Sequence, residues 1–298
     1  MRIEIRMFTL RQLEFAVAIA EEGSFTAAAE RCHTVQSALS HQVARLEALL
    51  GARLFERGAR QVRPTAAGQV FLAGARDTLR AAQRLQDEMA QAAGVVRGRL
   101  QIGLISSLVA VPVPALLGDF RAAYPQVDVH MRTGMSEAML ADVAEGRLDV
   151  ALVGVGPQVA LPEQRLRLHE EGLALLVAPG HPLAAAAPVP LAALDDMPLV
   201  GLIAGSGVRG ITDAAFAAAG LRQRIQYEAT HGELIRQLVA AGLGAALLPQ
   251  TMAEAMREVA VVPLAADFRF LTYACWGPDP TPAARAFVEL LRRACLPA

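Results

Sequence analysis

Apolar positions at the front of the chain fall at helical spacing. Leu10, Leu13, Val17 and Ala20 recur at steps of 3, 4 and 3, which predicts one buried helical face. Glu21, Glu22 and Gly23 end that helix, with Gly23 suited to the left-handed position past a helix end. Ser24 is an N-cap for a short second helix on Ala27, Ala28 and Ala29, whose small side chains let another helix cross closely. After a turn at Cys32 to Thr34, a third helix is predicted from Val35 to Leu50. Its buried face is Val35, Leu39, Val43, Leu46 and Leu50; the other face is Gln36, Ser37, Ser40, His41 and Ala44. That second face is short, polar and almost free of acid, as a helix entering the major groove requires. Leu54 to Arg57, a Gly58-Ala59 turn and Arg60 to Arg63 read as a small hairpin bearing arginines. Residues 8–65 therefore have the pattern of a winged helix-turn-helix, with double-stranded DNA as the expected partner. Gln36, Ser37, Ser40 and His41 are the candidate base readers, beside Thr34 at the helix start. Arg53, Arg57, Arg60 and Arg63 are the candidate phosphate contacts, with Glu56 as an alternative partner for one or two of them.

Thr65 and Gly68 open a long helical stretch to about Ala93. Phe71, Ala75, Thr78, Ala82, Leu85 and Met89 fall on a heptad seam within it. An amphipathic helix packed on its own chain would show the same seam. A dimerisation helix is the expectation, because a DNA reader of this size usually engages two half-sites. Gly94 to Arg99 reads as a hinge. From Leu100 onward strands and helices alternate, first as a β-α-β-α-β unit ending at Val153. Leu166 to Val177 begins a second unit of the same kind, Leu271 to Trp276 is a late strand and Pro282 to Cys295 a closing helix. The predicted fold class is α/β with an all-α winged helix-turn-helix N-terminal domain and a two-lobed, periplasmic-binding-protein-like C-terminal domain. Its expected parts are 8–65 (DNA binding), 66–93 (linker and dimerisation helix) and 94–298 (effector binding). Lobe I covers about 99–160 and 268–298, and lobe II about 161–267, with crossovers near Val155–Leu166 and Ala265–Phe270.

Several runs match one family in order and spacing. They are Leu10-Arg11-Gln12-Leu13, Gly23-Ser24-Phe25-Thr26-x-Ala28-Ala29, Gln36-Ser37-Ala38-Leu39-Ser40-x-Gln42-Val43, Leu46-Glu47, Gly51, Leu54-Phe55-Glu56-Arg57 and Thr65-x-x-Gly68. In the rear half, Tyr124-Pro125-x-Val127, Gly146-x-Leu148-Asp149-Val150-Ala151, His181-Pro182-Leu183-Ala184 and Val239-x-x-Gly242-x-Gly244-x-x-Leu247-x-Pro249 continue the match. The chain resembles the LysR-type transcriptional regulators over its whole length. It departs from them at Val35, where a small hydroxyl residue usually caps the recognition helix, so Thr34 is expected to take over as cap. His41 stands where arginine is frequent and Pro64 where an aliphatic residue is frequent. The resemblance implies a promoter-binding regulator, not an enzyme, without a cofactor or metal and modulated by a small-molecule effector. Its partners would be promoter DNA, the effector, further copies of itself as a homodimer or dimer of dimers, and RNA polymerase, in the cytoplasm and away from membrane.

Composition sharpens this picture at three points. The net charge of −1 hides an asymmetry: residues 1–99 carry 14 Arg against 10 acids, and residues 100–298 carry 14 Arg against 19. Such a balance suits a protein that meets phosphate at its front only. Every basic residue is arginine. Three scattered cysteines in no metal or redox spacing predict a reduced protein, and no apolar signal segment or membrane span is read from the chain.

In open α/β lobes, ligands bind beyond the carboxyl ends of strands, near helix starts. That rule selects the loops at Ser106-Ser107, Thr133-Gly134-Met135-Ser136, Gly201 to Gly207 and Thr230-His231-Gly232, which the family resemblance also points to as the effector cleft. The candidate effector contacts are Ser106, Ser107, Thr133, Gly134, Gly201, Leu202, Ser206, Thr230 and His231. Hydroxyls in such places suit a small carboxylate or another anion, although each taken alone also reads as an ordinary cap. Gly205-Ser206-Gly207-Val208-Arg209-Gly210, with Glu228 about twenty residues on, has the outline of a dinucleotide fingerprint. A nicotinamide-dependent enzyme is therefore the competing reading. It lacks an ordered catalytic set among the six histidines, and the motif sits in the second lobe.

Overall fold

The structure, a computed structural model, describes residues 8–57 and 62–295. The chain divides into two compact units, residues 1–89 and 90–298.

In the front unit, α1 (Leu10–Glu22), α2 (Phe25–Arg31) and α3 (Gln36–Leu50) are followed by a two-stranded hairpin, β1 (Phe55–Arg57) and β2 (Val62–Pro64), and by α4 (Ala66–Ala92). A capping box starts α1: the Gln12 amide donates to Thr9 Oγ1 at 3.3 Å and the Thr9 amide to Gln12 Oε1 at 3.0 Å. Gly23 and Gly51 end α1 and α3 at φ of 62° and 67°, the left-handed region a side chain resists. The core joins Phe15, Ala16, Ile19, Ala28, Ala29, Leu39, Val43 and Leu46 to Leu54, Phe55 and Leu72. The buried face of α1 is thus turned from the expected one, and Leu10 is exposed. Apolar residues occupy more than one side of this helix, and contact with α2 and α3 selects among them.

The Thr65-x-x-Gly68 motif is a corner. Thr65 Oγ1 donates to the Arg53 carbonyl at 2.7 Å and accepts from the Gly68 amide at 2.9 Å. A β-carbon on Gly68 would lie 2.0 Å from the Leu54 carbonyl oxygen, so only glycine fits there. Glu47 Oε1 accepts from the Leu54 amide at 2.7 Å, fixing the strand to the end of α3. Along α4 the seam divides: Phe71 and Ala75 pack on their own unit, whereas Leu85 and Met89 are 62% and 65% exposed.

The rear unit holds two sheets. The first is built from β3 (Gly98–Leu104), β4 (Val127–Thr133), β5 (Val150–Val155), β6 (Arg165–Glu171) and β12 (Phe270–Trp276). Its strands run in the order β4-β3-β5-β12-β6. Gly98 and Arg99, expected in the hinge, already pair with Val127 and Asp128 in this sheet. Every residue of β5 is buried, as a central strand covered on both faces requires. Helices α5 (Val113–Ala123), α6 (Ser136–Ala144) and α10 (Pro282–Cys295) accompany it. The second sheet is built from β7 (Leu173–Val177), β10 (Ala246–Pro249) and β11 (Ala260–Pro263), in the order β10-β7-β11. A parallel pair, β8 (Pro198–Leu202) and β9 (Arg224–Ala229), joins it through a bridge between Leu199 and Ala245. Helices α7 (Gly207–Ala218), α8 (Gly232–Ala240) and α9 (Gln250–Glu254) complete this lobe.

One expectation is corrected here. The stretch Leu166 to Val177 does not open the second lobe as one strand, and the lobe boundary is not at 161. Residues Arg165–Glu171 pair antiparallel with β12 in the first sheet, and the chain crosses at Gly172. The alternating exposure of β6 marks an edge strand, and the continuous burial of β7 a central one.

Candidate DNA-reading surface and effector cleft

Gln36, Ser37 and His41 are exposed on α3 and Ser40 is half-buried beside them, while Leu39, Val43 and Leu46 fill the core beneath. Gln36 Nε2 donates to Ser40 Oγ at 2.9 Å, so the two polar groups form one unit on the face. Thr34 does not cap the helix: Val35 occupies the N-cap in extended conformation, with no side-chain hydrogen bond. The Thr34 amide donates instead to the Ala29 carbonyl, and no side chain accepts from the first amides of α3. Arg53 and Arg63 are exposed on either side of the hairpin. Arg57 closes β1, but its side chain, like the whole of Arg60, lies outside the described residues.

In the rear unit a cavity of about 970 Å³ lies between the lobes. It is within the range of small-molecule sites. The start of α6, the loop 156–160, the start of α7 and residues 267–269 line it. Of the nine expected effector contacts, Ser206 alone is in its lining. Ser206 caps α7, its Oγ accepting from the Arg209 amide at 3.2 Å. Ser106 Oγ donates to the Thr230 carbonyl at 3.0 Å, which ties a loop of one lobe to a loop of the other. Ser107 and Leu202 are buried, and Thr133 and His231 are exposed. A β-carbon on Gly201 would meet Ile225, and one on Gly134 would meet Met139. These eight residues lie outside the cavity lining.

The lining also holds Ser136, the last residue of the second selected loop, and Val155, Arg209 and Phe268. Ser136 is buried; its Oγ donates to the Gly154 carbonyl at 2.8 Å and accepts from the Gly154 amide at 3.3 Å. Arg209 bonds Asp213 at 2.7 Å and Glu228 at 2.6 Å. Glu228 is therefore the partner of this arginine, and Gly207 is glycine because a β-carbon there would lie 1.8 Å from the Gly154 carbonyl oxygen. Both features that suggested a dinucleotide fingerprint serve contacts within the chain. Among the described residues no group of three His, Cys, Asp or Glu is placed to hold a metal ion, and no helix is long and apolar enough to cross a membrane.

Two modules thus share one chain, a helix-turn-helix with a free polar recognition face and a two-lobed domain with a cavity at its junction. The first matches the family model of the bacterial regulatory helix-turn-helix protein, lysR family, over residues 10–69, and the second the LysR substrate binding domain over residues 93–296. The DNA-binding transcriptional dual regulator OxyR of Escherichia coli is 33% identical over 241 residues, 80% of this chain and 78% of that protein. The HTH-type transcriptional activator CmpR of Synechocystis is 31% identical over the same shares. Among solved structures, a full-length OxyR variant from Pseudomonas aeruginosa matches with a TM-score of 0.73 at 27% identity, over 97% of this chain and 96% of that one. Full-length CbnR in complex with its target DNA matches with a TM-score of 0.66 at 25% identity, over 96% and 99%. The chain belongs to the LysR family of DNA-binding transcriptional regulators.

Proposed function

We propose that the chain binds a promoter as a homo-oligomer and changes its DNA contacts when a small molecule occupies the cavity between the lobes. The observation that carries this reading is the exposed, acid-free face of α3, where Gln36, Ser37, Ser40 and His41 stand over a closed core. Arg53 and Arg63 supply phosphate contacts beside it, joined by Arg57 and Arg60. Pairing of two chains through the exposed half of α4 sets the distance between recognition helices, and the pair works in the cytoplasm with RNA polymerase as its downstream partner. No catalytic step belongs to this function. The effector acts by preferring one quaternary arrangement over another, because equal affinity for both would shift nothing.

The test is Gln36→Ala. The variant is expected to relax preference at one base pair at a cost of about 1–3 kcal/mol in specific binding. Equal operator-to-random binding ratios for the variant and the natural protein would remove α3 from base readout.

A further inference from the structure

Helix α3 has two flanks beside its polar face. Arg45 and Glu47 stand on opposite flanks, about 160° apart around the helix at about 100° per residue. Ser37, Ser40 and His41 lie on the arc between them, and Leu39, Val43 and Leu46 on the arc behind. Glu47 holds the hairpin on its own flank through the Leu54 amide. The Arg45 flank is a groove of about 670 Å³ between the start of α1 and α3, with Thr9, Arg11, Thr34 and Gln42 also in its lining. That lining holds two arginines and no acid. The groove is fixed from within: Gln12 Nε2 donates to Gln42 Oε1 at 3.2 Å, and Gln12 also closes the capping box of α1. Arg11 is engaged by Glu14 at 2.8 Å and by the Cys32 carbonyl at 2.6 Å. Arg45 is exposed and makes no hydrogen bond or ion pair with another described residue. An α-helix with its side chains is about 10–12 Å across and the major groove about 12 Å wide, so a helix seated there has a sugar-phosphate strand along each flank.

We infer that Arg45 is a phosphate contact on the DNA strand opposite the one met by the hairpin, so that the reading face of α3 is bracketed between both backbones. The inference rests on the reading above that α3 enters the major groove. The Arg45 groove is continuous with that face, its charge complements phosphate, and Arg45 has no partner among the described residues to give up. A contact of this kind fixes how α3 sits in the groove and carries no base preference of its own.

Salt titration of DNA binding by the full-length protein tests this, on a duplex that the protein selects from a random-sequence pool and on an unselected duplex of the same length. Arg45→Ala is expected to weaken both by the same factor, about five- to tenfold at 0.1 M salt, and to lower the salt slope by about one unit per bound chain. Arg45→Lys, which keeps the charge, should keep the slope. Arg45 is exposed, so the melting temperature of both variants should stay unchanged and loss of fold cannot mimic the effect. Neutral methylphosphonates, placed one at a time along the selected duplex, then identify the strand. One of them should weaken the natural protein and leave Arg45→Ala indifferent, and it should lie across the major groove from those to which Arg53→Ala or Arg63→Ala is indifferent. An unchanged slope for Arg45→Ala, a changed base preference, or an Arg45-dependent phosphate on the hairpin's strand would overturn the assignment. If Gln36→Ala relaxes base preference while Arg45→Ala leaves the slope unchanged, the bracket fails and the reading of α3 stands. If Gln36→Ala changes nothing while Arg45→Ala lowers the slope on both duplexes, base readout by α3 fails and the phosphate contact stands.

Discussion

Ser106 Oγ lies 3.0 Å from the carbonyl oxygen of Thr230, a hydrogen bond between loops 124 residues apart in the chain. One residue follows β3 in the first lobe and the other follows β9 in the second. The bond therefore crosses the junction between the two lobes. Ser106→Ala removes the donor while Thr230 remains exposed and free to meet water. The expected cost is about 0.5–1.5 kcal/mol of lobe closure, with little change in global stability. Hydrogen exchange should quicken at the amides of Thr230 to Glu233 and not in β5. Unchanged exchange there would mean that other contacts hold the lobes together.

Gly207 and Gly210 occupy the same helix and predict opposite outcomes. A β-carbon at Gly207 would press into the backbone of Gly154, which belongs to a fully buried strand and cannot yield cheaply. Gly207→Ala should cost about 1–3 kcal/mol or more, the penalty of overpacking. At Gly210 nothing lies within 4 Å of the added carbon. Gly210→Ala should be neutral or stabilising by up to about 1 kcal/mol through helix propensity. Thermal melts of the two variants decide the matter; a harmless Gly207→Ala would mean that the start of α7 shifts freely.

These two glycines also mark how far the chain can be read without its structure. The spacing of Gly205, Gly207 and Gly210 was legible, but its cause was not, because Gly154 lies some fifty residues away. Local signals did well where neighbours in sequence decide the outcome: Gly23, Ser24 and Gly51 each punctuate a helix as expected, and α10 spans Pro282–Cys295 as expected. They failed where distant pairing decides. Leu166 and Leu168 alternate beside the continuous run Leu173 to Val177, and only pairing with β12 shows that two sheets share this stretch. The cavity followed the same division. Of the nine contacts chosen by the rule of strand ends near helix starts, Ser206 alone is in the lining, whereas the loop 156–160 and Phe268 carry no motif, and their part in the lining is a product of packing.

Leu85 is 62% exposed on α4, one turn before Met89 at 65%, while Leu72 and Ala75 of the same helix are buried. A helix whose apolar stripe is half covered by its own unit invites a second copy on the rest. Leu85→Glu would place an unpaired charge in such a contact, far more costly than loss of one apolar contact. The variant should sediment as a smaller species and lose tight operator binding. It should keep effector affinity, since the cavity is built within one chain. An oligomeric variant with tight operator binding would mean that the exposed half of α4 does not join the copies. Loss of effector binding would mean that assembly completes the cavity.

Burial sets the chemistry of the cysteines. Cys275 is wholly buried on β12, and desolvation pushes its thiol up to about 12, against which Arg165 acts weakly. Burial also raises Cys32 and Cys295. Thiolate is the form that reacts with oxidants and alkylating agents, so Cys275 should resist iodoacetamide at neutral pH in the folded protein and react on unfolding. The same shift has a consequence for stability. Above the ordinary thiol value the unfolded chain releases this proton while the folded chain retains it, so stability is complete below about pH 9 and falls as pH rises toward 12. The slope from this group approaches about 1.4 kcal/mol per pH unit. With no lysine in the chain, cysteines and tyrosines are the side chains that titrate in this alkaline window, which makes the contribution separable. Cys275→Ala should be less stable at neutral pH, because it leaves a small void, yet decline less steeply above pH 9. Parallel alkaline curves for variant and natural protein, or rapid labelling of Cys275 in the folded state, would show that β12 opens to solvent far more readily than its burial implies.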